Sequence, residues 1–258
     1  MYKRQAYNLQ YASPDFGATL NSVTFIFLII TPILTMKILA EEKKNKTDQL
    51  LLTAPVSVWK VVLGKYLSMV TMYLIPVVIA GFYPLIMGRY GTVSYAMAYT
   101  ALLGFFFLGC AQIAVGMFLS SVTESQVIAA VLTFGVLFCS FMMDGITSFF
   151  SDTAITSMMA FLVLVIILGV IIYQMTKSVV LSAGVSGVLA VVTLVVYIIK
   201  PTVYSGLIQK VLGLLAISNQ FDNFVGGILD MTGILYMLSV ICIFVFLTIQ
   251  CIQKRRWS

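Results

Sequence analysis

Glu41–Lys65 reads EEKKNKTDQLLLTAPVSVWKVVLGK, the one charged stretch in a sequence otherwise built of long apolar runs. It holds Glu41, Glu42, Lys43, Lys44, Lys46, Asp48, Lys60 and Lys65, a third of a charged complement of 15 basic and 9 acidic residues. The apolar runs on either side of it read as membrane helices, so this stretch is a solvated connection between two spans. Glu42 with Lys46 is the favourable i,i+4 order and Glu41 with Lys44 is i,i+3. The helix entering from Leu39 is therefore expected to continue about two turns beyond the bilayer. Leu50, Leu51 and Leu52 then form an apolar patch, and Thr53-Ala-Pro-Val-Ser57 breaks the helix. Pro55 cannot continue the hydrogen-bond ladder, and Ser57 can cap the helix that re-enters the membrane. An apolar patch in a charged connection reads as a docking surface on the cytoplasmic side.

Composition fixes the class. With 61% hydrophobic residues, 9% charged and a mean hydropathy of +1.07, the 258-residue chain of 28.4 kDa is excluded from the water-soluble globules. The expected fold is an all-α polytopic helix bundle forming a single domain over residues 1–258. The net charge of +6 sits at span ends, which makes it an orientation signal and not a nucleic-acid footprint. No secretory cleavage pattern opens the chain. The absence of histidine removes His-based triads, metal sites and proton relays. Cys110, Cys139, Cys242 and Cys251 lie in or at the ends of apolar runs without CxxC spacing, and read as small hydrophobes.

In chain order, Met1–Thr19 reads as a loop carrying Pro14 and Gly17. Seven spans follow: Leu20–Ala40, Val61–Met87, Tyr95–Leu119, Val127–Phe150, Thr156–Gln174, Val179–Ile199 and Met231–Cys251. Pro32, Pro76 and Pro84 are expected to bend the first two. Ser120–Gln126 contains two overlapping capping boxes, Ser121-x-x-Glu124 and Thr123-x-x-Gln126, either of which would start the fourth span. Asp144 is an intramembrane acid near the far end of that span, a functional suspect that water can also reach. Pro201–Asp230 carries Tyr204, Leu207, Ile208, Val211 and Leu215 on one helical face and Ser205, Gln209 and Lys210 on another. It suits one or two short helices at the outer interface. With the Glu41–Lys65 connection and the C-terminus inside, ten basic residues lie in or beside the cytoplasm: Lys37, Lys43, Lys44, Lys46, Lys60, Lys65, Lys177, Lys254, Arg255 and Arg256. Five, Lys3, Arg4, Arg89, Lys200 and Lys210, lie outside. The expected orientation is N-out and C-in.

Gly64-Lys65 fails as a phosphate loop, since Trp59 stands where the first glycine is needed and Tyr66 where Ser or Thr is needed. No cofactor is expected on this chain, and any ATP would be bound by a separate partner subunit. Pro32-Ile-Leu-Thr-Met-Lys37, Ala40-Glu-Glu, Leu50-Leu-Leu-Thr-Ala-Pro-Val-Ser57 and Val62-Leu-Gly-Lys65 together resemble the signature of ABC-2 type transporter permeases, in the gliding-motility (GldF-like) branch. Phe118–Val127, Ser218–Phe224, Leu235-Tyr, Phe246–Ile249 and Lys254–Trp257 agree with it.

The resemblance implies a permease subunit of an exporter in a bacterial cytoplasmic membrane, working with an ABC ATPase and a second permease subunit. It implies that Glu41, Glu42, Leu50, Leu51, Leu52, Thr53, Pro55 and Ser57 belong to a coupling helix that docks the ATPase, with Ser120–Gln126 as a secondary contact. Phe221, Asp222 and Phe224 match a family motif in the outer segment and would seal the path from outside; interfacial anchoring by the aromatics is the other reading. Family members usually carry one more span and a cytoplasmic helix ahead of the first span found here, which makes the chain look truncated. Residues 156–199 resemble an added hairpin. Two other classes stay open: a membrane component of a motility or assembly complex driven by an ABC ATPase, and an intramembrane enzyme. The second is disfavoured by the lack of histidine, of a GxSG-like element and of paired intramembrane acids.

Overall fold

The computed structural model of the protein describes residues 16–47, 57–89, 93–151, 153–176, 179–200 and 204–256. Those residues form α1 (Phe16–Lys44), α2 (Val58–Gly81), α3 (Tyr83–Met87), α4 (Tyr95–Val122), α5 (Gln126–Ser148), α6 (Ala154–Thr176), α7 (Val179–Ile199), α8 (Leu207–Gly213), α9 (Asn219–Val225) and α10 (Met231–Arg256). The protein is all-helical, and no strand occurs among the described residues. Five segments in them are long and apolar enough to cross a membrane: Phe16–Lys44, Val58–Met87, Tyr95–Val122, Gln126–Met143 and Met231–Lys254. The chain divides into two compact units, Met142–Ala216 forming one and the segments before and after it the other.

The larger unit is built around α4, the most buried of the five long helices. Its sequence offers small residues where neighbours press closest. A Cβ at Gly104 would overlap the Phe224 side chain, one at Gly109 the Tyr73 ring, and one at Gly116 the Thr35 side chain. Small residues of this kind let membrane helices approach closely where burial from water provides no drive. Helix α2 packs through one stripe, Val58, Val62, Tyr66, Met69, Tyr73 and Val77, at three- and four-residue spacing. Two tyrosines of that stripe tie it to α4: the Tyr66 hydroxyl donates to the Cys110 carbonyl at 3.1 Å and the Tyr73 hydroxyl to the Phe105 carbonyl at 2.8 Å. Phe27 of α1 completes an aromatic cluster, 4.7 Å from Tyr73 and 5.7 Å from Phe105 between ring centroids.

These contacts also give direction. Thr35 meets Gly116 and Ser120 bonds Met36, Leu39 and Ala40, so α1 runs parallel to α4. Helix α10 does the same, from Gly233 beside Phe224 to Cys251 beside Ser121. Helix α2 runs the other way.

Several boundaries differ from the sequence reading. Helix α1 begins at Phe16 and not at Leu20: Phe16 is buried and stacks on Tyr83 with centroids 6.1 Å apart, which holds the first turn in place. Pro32 and Pro76 lie inside continuous helices. The interruption comes at Phe82, with Pro84 in the first turn of α3, where a missing N–H costs nothing. Neither capping box forms. Ser121 is buried in the last turn of α4 and donates to the Phe118 carbonyl, Thr123 is the C-cap of α4, and Ser125 accepts the first backbone bond of α5 from Ala129. The boxes fail because α4 runs three residues further than its apolar pattern, which puts Ser121 in its last turn and Thr123 at its C-cap, while α5 starts only at Gln126.

The smaller unit holds the end of α5, the α6–α7 hairpin and α8, which packs on α6. Tyr204 is wedged into it, with its ring 6.0 Å from Phe161 and 6.2 Å from Tyr197 and its hydroxyl donating to the Thr193 carbonyl. Gln209 Nε2 donates to the Phe150 carbonyl at 2.9 Å, and Ser157 Oγ accepts from the Ile208 N–H. The segment read as interfacial thus contains two short helices, α8 and α9. They fall in different units, because Ile217 rejoins the larger one.

The glycine contacts generate the first prediction. Gly109→Ala and Gly116→Ala each force a neighbour away from α4 and are expected to lower the melting temperature of the detergent-solubilised protein by roughly 3–10 °C. Gly135→Ala, whose Cβ would meet nothing within 4 Å, is expected to leave it unchanged or higher.

Candidate functional site

The end of the larger unit at which α1 stops and α2 starts concentrates polar contacts. Helix α1 leaves its apolar run at Ala40, continues one turn to Lys44, and closes by backbone geometry: Thr47 N–H donates to the Glu42 carbonyl at 3.0 Å and Lys46 N–H to the Lys43 carbonyl at 3.2 Å. Lys46 adopts the left-handed conformation at φ 56°. This is the reciprocal pair of bonds that ends many helices, here with a lysine where glycine is usual. The helix is therefore one turn shorter than its charge spacing suggests.

The Glu42–Lys46 pair expected from that spacing is replaced by another. The Glu42 carboxylate forms an ion pair with the Lys65 ammonium of α2, and Lys65 also donates to the Ile38 carbonyl of α1 at 3.2 Å. Glu42 thus pairs across to the neighbouring helix and not along its own. Glu41 lies half-buried one residue before it. On the other flank, Ser120 of α4 sits against the backbone of α1. Its hydroxyl accepts from the Leu39 and Ala40 N–H groups at 3.3 and 3.1 Å and donates to the Met36 carbonyl at 3.2 Å. It thus shares the rung that joins Ala40 to Met36 within α1. The carbonyl of Ser121, left without an intrahelical donor at the end of α4, accepts from the Lys43 ammonium and from Cys251 Sγ of α10. Cations at the C-terminal ends of α1 and α4 also complement their dipoles.

Leu50, Leu51, Leu52, Thr53 and Pro55 lie outside the described residues. Ser57 occupies the N-cap position of α2 with extended backbone (φ −68°, ψ 132°), and its hydroxyl makes no capping bond. Trp59 and Lys60 are exposed beside it, with the Lys60 ammonium 5.8 Å from the Trp59 ring centroid.

At the opposite end, Phe221 and Phe224 of α9 are fully buried, while Asp222 between them is exposed. Phe224 fills the hollow at Gly104 and touches Gly233 of α10; Phe221 stands 6.1 Å from Phe105. The aromatics are therefore packed inside protein, and Asp222 is separated from them. Gly227 ends α9 at φ 77°, where Met97 would crowd any Cβ. Asp230, the last residue of a segment with only a weak pattern, caps α10: it accepts from Thr232 N–H at 2.9 Å, from the Thr232 hydroxyl, and from Asn223 Nδ2 of α9 at 2.8 Å. The hydrogen bonds from Thr232 and Asn223 hold its carboxyl below the ordinary aspartate range. The spacing Asp230-x-Thr232 before an apolar run is a readable cap signal.

Two buried polar groups are passed over in the sequence reading. Gln112 of α4 and Thr31 of α1 are almost wholly buried, and neither Gln112 Oε1 nor Thr31 Oγ1 has a hydrogen-bond partner among the described residues. Each lies one turn from the Thr35–Gly116 contact, so the parallel register sets them level. A glutamine within Tyr95–Leu119 is the signal that could have found them. Asp144 lies in α5, where its backbone alone is described.

A family model described as ABC-2 family transporter protein matches residues 4–256. The chain belongs to the ABC-2 transporter family. No curated protein and no solved structure matches it. Permeases of the ABC-2 family are membrane components that work with ABC ATPase partners. In this ABC-2 protein the charged stretch joins the end of α1 to the start of α2.

Two outcomes follow for the ABC-2 chain. A carboxyl with a depressed folded pKa adds stability above its unfolded pKa, near 4, and loses it as pH falls through the lower folded value. The melting-temperature gap between the native protein and Asp230→Ala is therefore expected to be full at pH 7 and to shrink on acidification below about pH 4. Gln112→Leu removes a desolvated oxygen at similar volume. It is expected to raise stability by about 1–2 kcal/mol in thermal denaturation, and a lower melting temperature would mean the amide is held by a partner.

Proposed function

We propose that this ABC-2 protein is the permease subunit of an ATP-driven exporter, in the gliding-motility branch, docking its ATPase through Leu50–Ser57. The observation that carries the reading is the bracing of both helices flanking this stretch. Glu42 and Lys65 join α1 to α2, Ser120 joins α1 to α4, and Cys251 joins α10 to the same end. A docking stretch emerging from a braced end can pass on the movement of a partner instead of absorbing it. In sequence, the apolar Leu50-Leu51-Leu52 run between charged flanks suits a contact with a partner.

On this reading the charged stretch and the C-terminus face the cytoplasm of a bacterium, in keeping with the ten-to-five bias of basic residues. Helices α6 and α7, of 23 and 21 residues, would complete seven spans. A second permease subunit or lipid would cover the exposed face of α1 formed by Phe25, Ile26, Ile29, Ile30 and Ile33. Phe221 and Phe224 would close the outer end by packing α9 under α4.

The test is co-purification of an ABC ATPase from the same genome, together with permease-stimulated ATP hydrolysis. Leu51→Asp and Leu52→Asp are expected to abolish both while the chain still inserts. A charge buried in an apolar contact costs several kcal/mol, on the order of a hundredfold or more in affinity. Lys44→Ala, an exposed charge, is expected to change affinity by about fivefold or less. Retention of both readouts by the Leu-to-Asp variants would move the docking surface elsewhere, with Ser120–Gln126 next.

A further inference from the structure

We propose that the Glu42–Lys65 ion pair is a latch at the neck of the docking stretch, fixing the end of α1 to the start of α2 so that both move as one body with α4. The inference rests on the docking reading for its consequence, but its geometry stands apart. Glu42 lies in the last turn of α1 and Lys65 in the second turn of α2, so their pair closes the chain across residues 43–64. Their side chains are 34% and 20% exposed, which screens the pair less than a surface salt bridge. Lys65 is held twice, by the carboxylate and by the Ile38 carbonyl, so its position is defined by α1 on two successive turns. Ser120 then ties the same turns, Met36 to Ala40, to α4. Glu42 is thereby a positioning residue and not a surface offered to the ATPase.

The latch is measured without any ATPase. Spin labels at Lys44→Cys and Lys60→Cys, both exposed, report the width of the neck in the full chain reconstituted in lipid nanodiscs. Cys139 and Cys242 are replaced by Ala and Cys251 by Ser in this background. A single narrow distance is expected. Glu42→Gln and Lys65→Met are expected to broaden it, Lys65→Arg to preserve it, and the Glu42→Gln/Lys65→Met double variant to be no broader than the worse single one. An unchanged distribution in both single variants would overturn the latch.

With an ABC ATPase from the same genome, both single variants are expected to retain co-purification and to lose about three- to thirty-fold in stimulated hydrolysis, with Lys65→Arg restoring most of it. Full stimulation in both single variants would overturn the mechanical role. Loss of co-purification in Glu42→Gln alone would also overturn it, making Glu42 a docking contact. If the native chain retains no ATPase, the docking reading fails while the distance measurement still decides the latch.

Discussion

The close approach of α1 to α4, with no side chain at Gly116 and a buried hydroxyl at Ser120, is the constraint on which the polar end of the bundle depends. In a membrane, burial of apolar surface gives no preference for helix over lipid, so packing and hydrogen bonds between helices decide the arrangement. Thr35 can fill the hollow at Gly116 only because that position lacks a Cβ, and that contact brings Ser120 within reach of the backbone of α1. From there the consequences are local. Lys43 arrives over the open carbonyl of Ser121, and Glu42 arrives opposite Lys65. A bulkier residue at either small position would push the end of α1 outward and separate all of these groups.

The geometry gives a physical account of two motifs that look independent in the sequence. Ala40-Glu-Glu and Val62-Leu-Gly-Lys65 stand on different helices, more than twenty residues apart, yet Glu42 of the first and Lys65 of the second are partners. Gly64, where an added Cβ would meet nothing within 4 Å, is not required by this contact, and nothing in the structure explains it. The paired motifs thus meet where α1 ends and α2 begins.

The opposite end is held by aromatic packing. Phe221 and Phe224 lock α9 against α4, and Asp230 with Asn223 joins α9 to the start of α10. One end of the larger unit is therefore pinned by charges and a serine, the other by buried rings and a cap. The first device is directional and electrostatic, the second is steric and apolar.

The sequence alone determined the class and most of the helices. Apolar runs of membrane-spanning length leave backbone groups no choice but internal hydrogen bonds, so all-α architecture and the positions of α1, α2, α4, α5 and α10 were legible from Leu20, Val61, Tyr95, Val127 and Met231 onward. The charged stretch and its motifs also located the end of the bundle worth inspecting. The partners of its charges were not legible. Helical spacing pairs Glu42 with Lys46 because sequence sees only neighbours on one helix, and it gives Ser121 a cap because polar residues after an apolar run look like a boundary. Only the tertiary structure decided that Glu42 meets Lys65, that Ser120 bonds α1, and that Phe221 and Phe224 are interior while Asp222 is not. Each of those facts depends on which helices lie side by side and at what height, and that register is set by steric fit at Gly104, Gly109 and Gly116, a property of pairs of surfaces that no single helix encodes.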